Sequence, residues 1–400
     1  MMNPKAMLML PLLVALLLPL TGCWDHRELN NLAIASGIGI TKSDGRYVIT
    51  VQIENAGEIS KKSTTGTTTP IAVFQSSGVT VFEALKKMTA VSPREIYISH
   101  LRFIVLSESL AREGIGEALE LFSRSAGFRT DFNILVSHDS DVVNLLSTLT
   151  QIEKIPGNNI FSSIRSAAKN WGAFQEISID QLISKMQSKT TAAVLPGLRL
   201  AGDGEVGRSL VNIQNSLAPA QIELNGMAVF KKDKLRGWLN EKESIGFAFA
   251  VNEIQNTAVH VPCGNRREMA VNILHAKASI QGQLDAGKPR GSIDLKAEGN
   301  IEELACPKDV SKSDVLASLE EATGQKIKQY LTSALMKSQK DLNTDVFGFG
   351  EAIHRSAPKK WVTIQKQWEE LFPRMPVEVS VKFKLRSSGQ TNKSYLENLE

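Results

Sequence analysis

Cys23 is the residue of this chain whose surroundings most clearly suggest covalent chemistry. It ends the tetrapeptide Leu20-Thr21-Gly22-Cys23, which follows an uncharged apolar run from Ala6 to Leu20. A helix that spans a bilayer needs about 20 apolar residues, and this run is shorter and contains two prolines. A short apolar run that ends in small residues is typical of a secretory signal peptide.

The tetrapeptide resembles a bacterial lipobox, whose cysteine thiol receives a diacylglycerol before the signal is removed. We therefore expect residues 1–22 to be a lipoprotein signal peptide and Cys23 to be the lipid attachment site. An ordinary signal peptide followed by an incidental cysteine is the alternative. A diacylglycerol carries two acyl chains, which is enough for stable attachment to a bilayer. The remaining residues would then act outside the cytoplasm, close to a membrane face.

The two other cysteines, Cys263 and Cys306, form an even pair in a chain expected to be exported. Exported proteins commonly contain disulfides, and a bridge here would close a loop of about 43 residues, for which chain entropy gives about 4 kcal/mol. Two buried thiols are the alternative. Two cysteines without a neighbouring histidine or a further cysteine do not make a zinc site.

The sequence offers no recognisable catalytic arrangement. The histidines are dispersed and form no His-Glu-x-x-His motif; there is no nucleophile elbow and no phosphate-binding glycine loop. Asp203 and Glu205 lie in a glycine-rich loop, where carboxylates are usually solvated. We interpret His100 as a structural residue at the start of a strand, and Trp361 and Trp368 as core residues. We therefore predict no enzyme, no catalytic residue, no metal and no cofactor.

The composition excludes a nucleic-acid-binding role and fits a globular protein. There are 46 basic and 42 acidic residues in the 400-residue chain, a balance that removal of the signal peptide hardly changes. Proteins that bind nucleic acid usually carry a strong basic excess. The length suggests two or three domains.

The elements that would position these residues alternate between strands and helices in the first half of the chain. Apolar strands at 32–40 and 47–53 flank an Asp44-Gly45 turn, and further strands and helices follow. These include a helix predicted over about 108–123 and a helix that opens with Ser178 and Gln181 in capping-box spacing. In the last third, paired strands at 269–280 and 292–298 precede a long helix over 313–340 and a strictly alternating strand over 377–385. We predict an α+β fold with three mixed α/β domains, sheets packed with helices, and a C-terminal domain that is largely antiparallel sheet with a long helix.

The glycine-rich segment 202–207 suggests the first internal domain boundary. The predicted division is a signal peptide at 1–22, an N-terminal mixed α/β domain at 23–205, a small middle domain at 206–265, a C-terminal α+β domain at 266–390 and a tail at 391–400.

Several segments of the chain resemble the Ger(x)C lipoproteins, the C subunits of the germination receptors of spores. The likeness begins at the lipobox, which is joined directly to Trp24-Asp25-His26-Arg27-Glu28-Leu29, and it spans nearly the whole chain. The other similar segments are Gly37–Ile40, Ser99–Leu106, Leu110–Ile115, Asn225–Phe230, Leu235–Leu239 and Asp345–Gly350, the last followed by Trp361, Trp368, Phe372 and Pro373. Thr41 is a small departure, since aspartate would be expected there.

The resemblance implies a peripheral lipoprotein on the outer face of the spore inner membrane. There it would act with two integral membrane subunits in a receptor that responds to small nutrients, without known catalysis and without nucleic acid. A solute-binding lipoprotein of a membrane transporter is the alternative function. It would need two similar lobes around a cleft, whereas the last third of this chain differs in type from the first. A cell-envelope hydrolase is the least supported reading.

Overall fold

Two β-sheets organise the chain. The computed structural model describes residues 31–59, 68–125, 128–264 and 267–387. The strands are β1 (Leu32–Ser43), β2 (Arg46–Glu54), β3 (Ile71–Gly78), β4 (Glu95–Tyr97), β5 (Phe103–Leu106), β6 (Asn133–Ser137), β7 (Val194–Gly202), β8 (Ala220–Lys231), β9 (Lys234–Leu239), β10 (Thr257–Gly264), β11 (Arg267–Asp285), β12 (Lys288–Leu304) and β13 (Val377–Ser387).

Helices lie between many of these strands. They are α1 (Ala56–Ile59), α2 (Val81–Lys87), α3 (Glu108–Glu113), α4 (Gly116–Arg124), α5 (Val142–Ser147), α6 (Pro156–Asn170), α7 (Ile179–Gln187), α8 (Gly204–Gly207), α9 (Val211–Gln214), α10 (Glu241–Ala250), α11 (Ser313–Met336), α12 (Phe349–Ser356), α13 (Pro358–Ile364) and α14 (Trp368–Leu371). A π-helical turn, Lys337–Asp341, extends α11. Within the described ranges, none of these helices is both long enough and apolar enough to cross a membrane.

The first sheet has the strand order β3-β2-β1-β5-β6-β7-β8-β9, and β4 pairs beside the start of β1. The central strands β1, β5, β6 and β7 are parallel, and the remaining pairs on the main path are antiparallel. Parallel strands are usually buried on both faces by crossover helices. Here α2, α3, α4 and α7 contribute to the core on one face, and α5 and α6 contribute to the core on the other.

Local sequence signals set several of these boundaries as expected. Asp44 and Gly45 both have positive φ, 50° and 73°, as the tight turn between β1 and β2 requires. Ser178 and Gln181 form the predicted capping box at the start of α7. The single helix predicted over 108–123 is instead two helices, because Gly114 adopts φ 143° and interrupts the helix.

The second sheet has the order β10-β11-β12-β13. β10, β11 and β12 pair antiparallel, whereas β13 runs parallel to β12. The long helix α11 packs against the sheet, and its buried side chains Leu319, Ile327 and Leu331 belong to the same core. The predicted α+β class, with a largely antiparallel C-terminal sheet and a long helix, is therefore confirmed.

Helix α10 joins the two sheets. Every residue from Ser244 to Ala250 is buried, so the helix has no solvent face after its first turn. Its apolar core includes Val194 and Met227 from the first sheet and Met269 and Val271 from the second. A core that draws on both sheets makes α10 the central element of the contact between them.

The predicted middle segment, 206–265, is divided between the two sheets. β8 and β9 extend the first sheet, α10 lies between the sheets, and β10 is an edge strand of the second. The proposed division into three domains stays a prediction, since shared sheets do not by themselves define folding units.

Gly246 is the position at which α10 comes closest to α11. A β-carbon there would overlap the backbone carbonyl of Tyr330, and backbone cannot move aside as a flexible side chain can. We expect Gly246→Ala to lower the free energy of unfolding by roughly 1–3 kcal/mol, as overpacked cores do, in a denaturant titration.

The matched control is Gly324→Ala in α11. A β-carbon at Gly324 meets nothing closer than 3.8 Å, so alanine should leave stability unchanged or raise it by up to about 1 kcal/mol through helix propensity. Equal effects of the two substitutions would contradict the close approach of α10 and α11.

Candidate functional site

Of the three cysteines predicted as site residues, the structure describes Cys263 and Cys306. Cys23 lies outside the described residues. The structure pairs Cys263 at the end of β10 with Cys306 after β12, with the Cα atoms 6.0 Å apart. That separation is usual for a disulfide, and both residues are buried in the core of the second sheet. The bridge itself stays a prediction, with a geometry that accommodates it.

The side chains considered for catalysis do not come together. Asp203 caps the short helix α8 by accepting from the backbone N–H of Glu205 at 2.8 Å. His100 is exposed and lies near the ring of Tyr97. In the described part of the chain, no group of three or more histidine, cysteine or acidic residues is arranged to hold a metal ion.

One of the segments singled out in the sequence, Leu110–Ile115, lies beside the β8–β9 hairpin formed by two others. Leu110 and Ile115 pack in one core with Phe230 and Leu235. The backbone N–H of Ile115 donates to the carbonyl of Asp233 at the hairpin turn, at 2.9 Å. Segments more than 100 residues apart in sequence therefore form one continuous region.

Trp238 on β9 connects this region to the end of β6. Its indole stacks on the imidazole of His138, with ring centroids 3.8 Å apart and an angle of 8° between the planes. Its Nε1 donates to Glu108 at 3.3 Å. Burial raises the pKa of Glu108, but hydrogen bonds from Arg112 and Trp238 outweigh it, so the pKa lies below its ordinary value. Glu108 thus remains an anion that fixes the indole.

Asp345 organises the remaining segment, Asp345–Gly350. Its carboxylate accepts from three backbone N–H groups at the start of α12: Gly348 at 2.8 Å, Phe349 at 3.2 Å and Gly350 at 2.8 Å. A carboxylate at a helix N-terminus satisfies donors that have no partner within the helix. Asp345 is only 7% exposed, and this burial raises the pKa of its carboxyl to about 6 while the three donors oppose the rise.

Glycine is required at positions 348 and 350 of this segment for two different physical reasons. Gly348 has φ 79°, a conformation that residues with a side chain rarely adopt. A β-carbon at Gly350 would lie 3.0 Å from both Trp361 and Trp368, so a larger residue would be crowded there. Both tryptophans are buried and pack edge to face, 5.3 Å apart. They are core residues, as the sequence predicted.

A cleft of about 760 Å³ lies where the hairpin and the Asp345 segment meet. Gly116 and four stretches of chain line it, and they come from both halves of the protein: residues 186–192 before β7, the hairpin turn 231–233, the segment 343–345, and residues 365–372 around α14. A hydrogen bond joins two of these stretches, since the N–H of Ala192 donates to the carbonyl of Asp345 at 2.9 Å.

The rim of the cleft is charged. Lys231 pairs with Glu369 at 2.8 Å and so connects the hairpin to α14. Three further lysines that line it, Lys189, Lys232 and Lys366, are exposed and form no ion pair within the described residues. Their unneutralised charge would favour an acidic group on a binding partner.

The sequence identified several segments that line this cleft, but it did not indicate that they come together. Asp345, the hairpin and Trp368 each belong to a recognisable segment, but no periodicity relates one to another. Residues 186–192 gave no signal at all, because their role arises from backbone contacts with Asp345 that only the fold creates.

Two described families match most of the chain. Residues 25–200 match the family described as the spore germination protein N-terminal domain, and residues 225–389 match the family described as spore germination B3/GerAC like, C-terminal. Spore germination protein KC of Bacillus subtilis (strain 168) is 31% identical, with 96% of this chain and 95% of that protein covered. The chain belongs to the GerAC-like family of spore germination proteins.

Other similar proteins also align over most of the chain. Spore germination protein B3 of Bacillus subtilis (strain 168) is 22% identical, with 94% of this chain and 97% of that protein covered. Among solved structures, the crystal structure of the GerBC protein aligns with a TM-score of 0.56 over 90% of this chain and 100% of that one, at 17% identity. This similarity establishes a shared fold. The resemblance inferred from the sequence is confirmed.

Asp345 should give the folded chain a defined pH dependence. A carboxyl whose pKa rises from 3.8 to about 6 on folding stabilises the fold below about pH 4, and that contribution is lost as the pH rises to about 6. We expect the unfolding free energy of the wild type, minus that of Asp345→Asn, to fall by roughly 3 kcal/mol over this interval.

Urea titrations at a series of pH values measure this difference. Asp341→Asn, which removes an exposed carboxylate four residues away, is the control and should follow the wild-type profile. A constant difference between wild type and Asp345→Asn across the interval would contradict the raised pKa.

Proposed function

We propose that this protein is a lipid-anchored, non-catalytic subunit of a nutrient germinant receptor. It would be held by Cys23 on the outer face of the spore inner membrane and bound there to two integral membrane subunits. It would be required for the response to small nutrients that triggers germination. Family membership over nearly the whole chain and the lipobox at residues 20–23 support this proposal.

The observation that carries the proposal is the cleft, which is lined by Asp345, Trp368 and Phe372 from the family-like segments and by the turn of the hairpin that two others form. A subunit without catalytic chemistry must act through contact surfaces. Here the hairpin turn and the segment at Asp345 bring cationic rim residues and buried aromatic side chains to one concave surface. We assign the contact with the membrane subunits to this cleft.

The position of the cleft in the first sheet supports the same assignment. Gly37 pairs with Phe103, Phe103 pairs with Asn133, and the register of β6 and β7 places Val194 at the same level. The cleft residues 186–192 directly precede Val194, so they lie at the edge of the sheet where the parallel strands begin. The mature N-terminus enters the fold at this edge, which would bring the cleft towards the membrane.

A solute-binding lipoprotein of a membrane transporter is the second candidate. The observation in its favour is the size of the cleft, since pockets of 300–1,000 Å³ commonly hold small ligands. Against it, the two sides of the cleft belong to sheets of different topology rather than to two similar lobes.

We also propose a disulfide between Cys263 and Cys306, which would fasten β10 to the segment after β12. An exported chain is exposed to oxidising conditions that allow such a bridge to form. Mass analysis of peptides from the unreduced protein tests it, since two free thiols would dispose of the bridge.

Cys23→Ala should remove the anchor without changing the fold. Because an alanine cannot receive a diacylglycerol, we expect the variant to leave the membrane fraction or to keep its signal peptide, and spores that carry it to lose the germinant response. Membrane fractionation and mass analysis measure both effects. An acylated mass or normal membrane attachment and response in the variant would overturn the lipoprotein assignment.

Reversing the charge of the cleft should separate the protein from its partners. We expect the double variant Lys232→Glu/Lys366→Glu to lose most of its association with two polytopic membrane proteins when tagged protein is captured from detergent-solubilised spore membranes. Both lysines are exposed, so the fold should persist, and thermal unfolding checks this.

Lys288→Glu at the exposed turn between β11 and β12 is the matched control and should leave capture unchanged. Loss of capture in both variants, or in neither, would contradict the assignment of the cleft. Capture of a transporter permease and its ATPase instead would favour the solute-binding candidate.

A further inference from the structure

We propose that β3, an edge strand of the first sheet, pairs with the same strand of a second copy of this chain. The two strands run antiparallel about a two-fold axis and make one continuous sheet across both copies. The inference goes beyond the proposed receptor role, and it depends neither on the anchor at Cys23 nor on the cleft.

The backbone of β3 has an open edge. All eight residues of the strand, Ile71–Gly78, pair with β2 without a register shift. In an antiparallel pair, every second residue directs its N–H and C=O groups away from the neighbouring strand. In the part of the chain that the structure describes, the backbone from Ala72 to Gly78 makes no hydrogen bond beyond its pairing with β2. Such a row of free groups is a template for one more strand.

The three further sheet edges among the described residues carry features that oppose such pairing. The edge strand β9 exposes Lys234 and Arg236, and the edge strand β13 exposes Lys382 and Lys384. The edge strand β10 contains Pro262, which has no N–H, and a register shift follows this proline. Charges, prolines and bulges are the usual protection of strand edges. The eight residues of β3 include no charge and no proline.

This contrast selects a second copy of the chain as the occupant of the edge. A charge on an edge strand acts most directly against identical copies, because in a pair of copies it approaches its own counterpart and like charges across strands repel. Copies joined through β9 or β13 would bring basic side chains together. Copies joined through β3 bring only uncharged side chains together, and a two-fold axis uses the same outward groups of both strands.

Apolar side chains beside β3 lie on the face of the sheet that α2 covers. Val79, directly after the strand, is 61% exposed, and Phe82 on α2 is 55% exposed. α2 packs on β3, and the hydroxyl of Ser76 donates to the carbonyl of Ala84. A two-fold axis perpendicular to the sheet places the α2 helices of both copies on one face, where each copy would cover apolar surface of the other.

The opposite face of β3 has room for the side chains of an added strand. A groove of about 420 Å³ lies between β3 and the region of α5. Ile71, Val73 and Gln75 line it on the strand, and Val143 and Leu149 line it on the other side. Successive side chains of a strand project to opposite faces of the sheet, so the groove would receive those of the partner copy that point to the α5 face.

Sedimentation equilibrium of the full chain in detergent, over a series of protein concentrations, tests the pairing. We expect the wild type to dimerise, and Gln75→Lys/Ser77→Lys to raise the dissociation constant of the dimer about tenfold or more, because lysines then approach their counterparts across the axis. Both positions are exposed, and thermal unfolding checks that the variant folds.

The matched control is Ser279→Lys/Gln281→Lys. It replaces the same two residue types with lysine at exposed positions of β11, which is an interior strand of the second sheet. The added charge is the same as in the edge variant, and the dissociation constant should equal that of the wild type.

Hydrogen exchange locates the contact within the dimer. We expect the backbone amides of β3 to exchange several-fold more slowly at concentrations at which the dimer forms than at those at which single copies predominate. The amides of β9, the opposite edge of the same sheet, should exchange equally at both concentrations.

The other outcomes overturn the inference. These are a single copy at every concentration, a dimer that the edge variant leaves intact, and equal weakening by the control variant. Slow exchange of β3 in single copies would show that another segment of the same chain covers the edge. Slow exchange only in preparations that retain other proteins would show that a different protein covers it. None of these results bears on the anchor or the cleft, which fractionation and capture test separately.

Discussion

The packing of α10 between the two sheets is the contact on which the rest of the structure depends. Its residues from Ser244 to Ala250 are buried on all sides, and Gly246 lets its backbone lie directly against that of α11. This places the β8–β9 hairpin of the first sheet opposite the segment around Asp345 in the second part of the chain. The cleft exists because this contact sets the distance between its walls.

Asp345 links the stability of the fold to the cleft. Its carboxylate satisfies three N–H groups at the start of α12, and its own carbonyl accepts from Ala192 on the opposite wall. A buried anion is costly, and only several donors at once make it tolerable. The same residue therefore fixes the first turn of α12 and connects it to the opposite wall of the cleft.

The first sheet has a polarity that would suit the proposed attachment to a membrane. The parallel strands β1, β5, β6 and β7 begin at one edge, and cleft residues 186–192 lie at the same edge, directly before β7. The proposed short tether from Cys23 and the charged cleft near β7 would act together. They would restrict the orientations in which membrane-embedded partners meet this subunit.

The sequence alone determined the features that depend on neighbouring residues. The Asp44-Gly45 turn, the capping box at Ser178 and the alternation along β13 are local, because they need only backbone conformation and side-chain period. The family segments are likewise local patterns, and they predicted the family correctly. The order and periodicity of the strands and helices predicted the α+β class correctly.

The sequence did not predict three features of the fold. These are the π-helical turn after α11, the parallel pairing of β13, and the assignment of β8 and β9 to one sheet and β10 to the other. The cleft was also decided only by tertiary structure, since its walls come from residues 186–192, 231–233, 343–345 and 365–372, which interact because α10 packs both sheets into one core.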